Sequence, residues 1–195
     1  MYALYLLGAI VAVFFFQIAF PHIAPLFWLN PETVLSAPWT LLTSMFLHGG
    51  MVHLFFNGFA LYMFGPYLER IIGSTRFLLI YFGAGLAGSL AYAASFYLGI
   101  LPQSIPALGA SGAIFGILGA VAVLRPNLMI LMWFVPMPMK YAALVWVALS
   151  LFETLNVAGG IAGAAHLGGL VLGAAAAYLL LRQGDLAFDD PYASY

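Results

Sequence analysis

Apolar runs long enough to cross a bilayer recur along this chain, and that recurrence narrows the possible folds more than any other feature. A membrane helix needs roughly 17 to 25 apolar residues. Residues 2–20 meet this and stop at Pro21. Further runs cover 51–68, closed by Glu69-Arg70, then 77–98, and 109–124, stopped by Arg125-Pro126. The last two are 139–155 and 161–181, the latter ending at Arg182. Only 6% of the 195 residues are charged, against about 25% in soluble domains. Lipid must therefore be part of the solvent, with backbone polar groups satisfied inside helices. The expected fold class is an all-α polytopic membrane protein, a six-transmembrane-helix bundle over residues 1–183. A short acidic tail is expected at 184–195, with Asp185, Asp189 and Asp190. The first run is too long for a signal-peptide core and lacks preceding basic residues, so it reads as a retained span.

The connections are also informative. Residues 21–47 hold Pro21, Pro25, Pro31 and Pro38, with Trp28 and Trp39 suited to the interface. A short helix near the headgroups is expected at 39–47. The run 128–135 lies between Pro126 and Pro136 and is too short to span, so it is expected to be interfacial or re-entrant. Residues 156–160 form a glycine-rich link. The absence of cysteine removes disulfides, thiolate metal sites and cysteine nucleophiles. A net charge of −1 gives no sign of nucleic-acid binding.

Sidedness follows from the basic residues. With a cytoplasmic N-terminus, Arg70, Arg76, Arg125, Lys140 and Arg182 all fall on the cytoplasmic side, as the positive-inside rule requires. The expectation is an integral multi-pass protein of a prokaryotic plasma membrane, with both termini cytoplasmic.

This orientation brings the few intramembrane polar residues to one depth near the outer face: His53 and Asn57 in span two, Ser111 in span four, His166 in span six. Such residues are costly in lipid and are functional by default, although a serine also serves as helix glue. Span four has 16 residues, about 24 Å at 1.5 Å each, against a core of about 30 Å. Ser111 should therefore lie at the floor of a recess. Gly112, Gly116 and Gly119 make a smooth strip for close helix contact, and Gly169 and Gly173 follow His166 on the same face. These glycines should let the imidazole reach the hydroxyl. Glu69 is assigned to the cytoplasmic end and Glu153 to the outer end of span five, so no carboxylate is expected to orient His166. The expected unit is a Ser–His dyad. His53 and Asn57, at i and i+4, share a helix face and have donors for an oxyanion. Their plainer reading is a polar pair tying helices together. His48, at the Gly49-Gly50 turn, is expected to be a structural brace, and His22 an interfacial loop residue.

Together, His48-x4-His53-x3-Asn57, Gly109-Ala110-Ser111-Gly112 and His166-x2-Gly169-x3-Gly173 resemble the rhomboid family of intramembrane serine proteases. The resemblance implies Ser111 as nucleophile and His166 as general base and later acid. It implies His53, Asn57 and the Ser111 backbone N–H as oxyanion donors, with Phe115 one turn below Ser111 against the histidine. No cofactor and no metal are implied. The implied partners are transmembrane protein substrates, cut near the outer face, and membrane lipid. One departure is Thr40 after Trp39, where the family often has Trp-Arg. Competing readings are an inactive rhomboid-like protein that binds transmembrane clients, a channel or transporter using His53, Asn57 and His166 as a polar path, and a histidine metal site.

Overall fold

The computed structural model describes residues 1–101, 105–156 and 163–184. Its elements are α1 (Tyr2–Ala19), a short α2 (Thr40–Thr43), α3 (Met51–Ile72), α4 (Ser74–Tyr97) and α5 (Ser111–Leu124). Strands β1 (Met129–Met132) and β2 (Val135–Pro138) come next, then α6 (Met139–Leu155) and α7 (Gly163–Arg182). By length and composition three of the described helices are able to cross a membrane: α1, α4 and α7. The helix α5 is apolar but shorter, with 14 residues. The glycine-rich link expected at 156–160 lies outside the described residues after Asn156, and so does the acidic tail after Gly184.

The second run does not stop at Leu68. Its helix continues to Ile72 because Glu69 is buried and fully engaged. The Glu69 carboxylate accepts the backbone N–H of Tyr2 at 2.9 Å, that of Ala3 at 3.0 Å and the Ser74 hydroxyl at 2.7 Å. The first amides of a helix have no partner of their own and carry a partial positive charge. One carboxylate thus caps α1 and ties it to the junction between α3 and α4.

The run 128–135, expected to be interfacial or re-entrant, takes an extended form. It forms part of an antiparallel hairpin, with Met129 opposite Pro138 and Met132 opposite Val135. Prolines 126 and 136 forbid a continuous helix, and Pro136 is tolerated because a two-stranded unit demands no N–H on its free side. Trp133 and Phe134 make the two-residue turn, both with positive φ (49° and 67°). The expected all-α class therefore carries a small β element. The segment 39–47 divides into α2 and a 3-10 turn at Ser44–Phe46. Thr40 is buried there, its hydroxyl donating to the Ala37 carbonyl at 2.6 Å.

The core centres on α5, which packs between α4 and α7, while α1 packs on α3. Ten of the 14 α5 residues are buried. In contrast, α6 buries only Met139, Ala142 and Ser150.

Candidate active site

Ser111 is held by the chain that leads into it. Leu29 and Ala107 exchange backbone hydrogen bonds at 2.9 and 2.8 Å, and the Gly109 N–H donates to the Ser44 carbonyl at 2.9 Å. Gly109 has φ +129°, and a Cβ there would lie 2.9 Å from both Cε1 and Nε2 of His53. Only glycine allows that turn with the imidazole so close. The helix α5 then begins at Ser111 itself, two residues later than the run at 109–124 suggests. Ser111 is therefore in the first turn, where backbone N–H groups lack intrahelical acceptors.

His166 comes from α7. Its Nε2 lies 3.0 Å from Ser111 Oγ, within the reach a general base needs. The approach depends on missing side chains. A Cβ on Gly169 would strike the carbonyl of Gly112, and one on Gly173 the carbonyl of Gly116. The ring is sandwiched flat against Phe115, with centroids 4.2 Å apart and planes within 4°. Trp146 of α6 meets Phe115 edge-on at 6.3 Å.

The expectation that no carboxylate approaches His166 is corrected here. Glu153 Oε2 lies 3.4 Å from His166 Nδ1. The C-terminal turn of α6 is pressed onto the start of α7, which places the two side chains together.

His53, Asn57, Ser111, Phe115, Trp146 and His166 all line one cavity of about 490 Å³. His53 Nδ1 accepts the Gly49 N–H at 3.3 Å. Nε2 then carries the ring proton, on the ring edge that lies against Gly109. Asn57 Nδ2 donates to the His53 carbonyl at 2.9 Å, which engages one of its two N–H groups. His48 lies behind this wall, fully buried and edge-on to the His53 ring at 5.2 Å. Its backbone is clamped by Gln17, which donates to the His48 carbonyl at 2.8 Å and accepts its N–H at 3.1 Å. Burial, with the neighbouring His53 charge, lowers the His48 pKa to about 4, so its ring is neutral near pH 7. His22 is exposed in the loop after α1. Among the described residues, no three His, Cys, Asp or Glu side chains converge to hold a metal ion.

Two residues of this neighbourhood, Gln17 and Trp146, are not singled out by sequence reasoning, and a third, Glu153, is considered there but set apart from His166. Gln17 carries a usable signal, being the one amide in the first apolar run. Trp146 has none that separates it from a lipid-facing aromatic.

Apolar helices around a serine in contact with a histidine define a helical membrane protein with a polar site recessed in its bundle. The Rhomboid domain profile matches residues 36–183. The chain belongs to the rhomboid family, whose members are embedded in membranes through several helices. Over 83 residues, 43% of this chain and 15% of the relative, it is 52% identical to "Rhomboid protease GluP" of Bacillus subtilis (strain 168). It is 36% identical to "Rhomboid protein 1, mitochondrial" of Saccharomyces cerevisiae over 140 residues, 69% of this chain and 39% of that protein. It is also 37% identical over 83 residues to "Inactive RHOMBOID-like protein 8" of Arabidopsis thaliana, 43% of this chain and 22% of that protein. The chain spans less than half the length of these relatives. They include bacterial and mitochondrial proteins, so kinship does not select the prokaryotic membrane expected from the sequence.

Proposed function

We propose that the chain is an intramembrane serine endopeptidase acting on transmembrane protein substrates through Ser111 and His166. The observation that carries this reading is the 3.0 Å contact between His166 Nε2 and Ser111 Oγ, made across 55 residues of sequence. His166 takes the Oγ proton as Oγ attacks the scissile carbonyl carbon. The resulting oxyanion is met by the Ser111 N–H, the His53 Nε2–H and the second Asn57 N–H. Collapse expels the amine, which leaves with the proton from His166, and an acyl-serine remains. Water, deprotonated by His166, then attacks the acyl carbon; collapse releases the acid, and the leaving Ser111 Oγ takes the proton back from His166.

A helical substrate hides its carbonyls in hydrogen bonds, so it must unwind locally before attack. Sites next to helix-weakening Gly or Pro are therefore favoured. On this reading the six apolar runs are six spans, the termini are cytoplasmic, and the cavity opens to the outer face. Substrate passes beside α6, the helix that buries least of itself. An engineered cysteine in the tail, labelled by an impermeant reagent from outside intact cells, would overturn this orientation.

The relative named inactive keeps a second reading in view, that of a binder of transmembrane clients. Incubating purified protein with a model transmembrane substrate and a fluorophosphonate probe separates the two. The protease reading expects cleavage and labelling at Ser111, both lost in Ser111→Ala and strongly reduced in His166→Ala. Substrate capture with neither cleavage nor labelling establishes the binder instead.

A further inference from the structure

The imidazole of His166 has two nitrogens, and the preceding mechanism uses one. To take a proton from Ser111, Nε2 must be bare, so the ring proton belongs on Nδ1. That nitrogen is buried and has no hydrogen bond that meets ordinary geometry among the described residues. A buried donor left unpaired costs about 1–3 kcal/mol. Stacking on Phe115 fixes the plane of the ring but not its sense: a half-turn about the Cβ–Cγ bond leaves the plane unchanged and exchanges nitrogen for carbon at each edge. A directional partner is needed to choose, and Glu153 Oε2 stands 3.4 Å away on the Nδ1 side. A shift of a few tenths of an ångström brings this into the N–H···O range of about 2.7–3.2 Å.

The placement of Glu153 is built into the helix contact. Gly163 lies one turn before His166, and a Cβ there would lie 2.8 Å from the Thr154 backbone N and 2.6 Å from its hydroxyl. The end of α6 is thus seated against α7 without a side chain between them, and Glu153 is the residue next to that contact. Glu153 keeps 36% of its side chain exposed, against 12% for His166. The Oε2 of this part-exposed carboxylate is the atom that faces the ring.

We infer that Glu153 is a positioning residue that accepts the His166 Nδ1 proton in a hydrogen bond, selecting the tautomer and ring sense in which Nε2 faces Ser111. The inference rests on the reading of Ser111 and His166 as nucleophile and base. The carboxylate does not take the proton; it orients the ring and faces the imidazolium formed when Oγ attacks. It does so from a different helix than either member of the pair, so the histidine is gripped by α5, α6 and α7 together.

The test compares wild type with Glu153→Ala and the near-isosteric Glu153→Gln. Readouts are kcat and KM on a model transmembrane substrate, and the ¹⁵N shifts of His166 in protein labelled at histidine. Glu153→Ala should lower kcat about 10- to 100-fold, the scale of a misplaced catalytic group, with KM nearly unchanged. Its His166 should show a mixture of tautomers where wild type shows Nδ1–H. Glu153→Gln keeps an acceptor oxygen and should retain the wild-type tautomer and recover part of kcat. A wild type that cuts, with kcat and tautomer unchanged in Glu153→Ala, overturns this inference alone. A wild type that neither labels nor cuts overturns the reading of Ser111 and His166, and this inference with it.

Discussion

The distance between Ser111 and His166 should be set by glycine, and Gly169→Ala isolates that claim. A Cβ on Gly169 would lie 2.8 Å from the Gly112 carbonyl carbon, and nearer still to its oxygen. Ordinary carbon–carbon contact is about 3.5–4.0 Å, so α7 must withdraw by about 1 Å. His166 is one turn away on the same helix, and the withdrawal carries its ring along. A 3.0 Å contact becomes one of about 4 Å, outside the reach of about 2.6–3.2 Å for proton transfer. Loss of about 100-fold in turnover is the expected scale, or about 2.7 kcal/mol in the barrier. Stability changes less. Overpacking costs about 1–3 kcal/mol, and alanine returns up to about 1 kcal/mol of helix propensity. The assay is the rate of fluorophosphonate labelling per folded molecule, with thermal unfolding in detergent alongside. Gly8→Ala is the control, since nothing lies within 4 Å of a Cβ there; it should label at the wild-type rate. If folded Gly169→Ala also labels at the wild-type rate, the glycine contact does not set the dyad and the reasoning fails.

Asn57→Ala should lower kcat roughly 10- to 1000-fold with KM nearly constant, as for loss of an oxyanion donor; unchanged kcat with a lower melting temperature would make Asn57 helix glue. His48, in the loop leading into α3, binds a proton below a pKa of about 4 when folded and 6.5 when unfolded. The unfolded chain therefore holds more protons between these values, and stability, complete above 6.5, should fall by about 3 kcal/mol as pH drops to 4. Detergent unfolding across this range tests it, and an equal slope in His48→Phe would refute the assignment. Glu69→Ala leaves two α1 amides and the Ser74 hydroxyl without their acceptor and should destabilise by about 3 kcal/mol. Its labelling rate per folded molecule should stay at the wild-type value, and a drop there would show that the cap reaches the cavity.

What is legible in the sequence is the part that lipid makes expensive. A serine, two histidines and an asparagine in apolar runs stand out because burial there demands a partner, and the structure gathers Ser111, His166, His53 and Asn57 around one cavity. The glycine spacing that follows His166 likewise foretells a helix contact. Glu153 is misjudged for a specific reason. Its distance from His166 depends on how α6 slides along α7, and the fit at Gly163 decides that, not any periodicity within either run. The Glu69 charge is visible, but its partners lie 66 and 67 residues away in sequence, so its capping role is not. The hairpin escapes because a short apolar run between prolines has no period long enough to separate strand from helix.

The contact between Ser111 and His166 also has an order in time. A ribosome makes Ser111 first and His166 55 residues later, an interval of roughly 3 to 11 s at about 5–20 residues per second. Through that interval α5 has no α7 to pack against, and on the proposed mechanism its serine has no base. On the proposed mechanism, the nascent chain passes its neighbours in the insertion machinery, themselves transmembrane segments, while unable to cut them. On that mechanism, activity begins only when α7 is seated on α5.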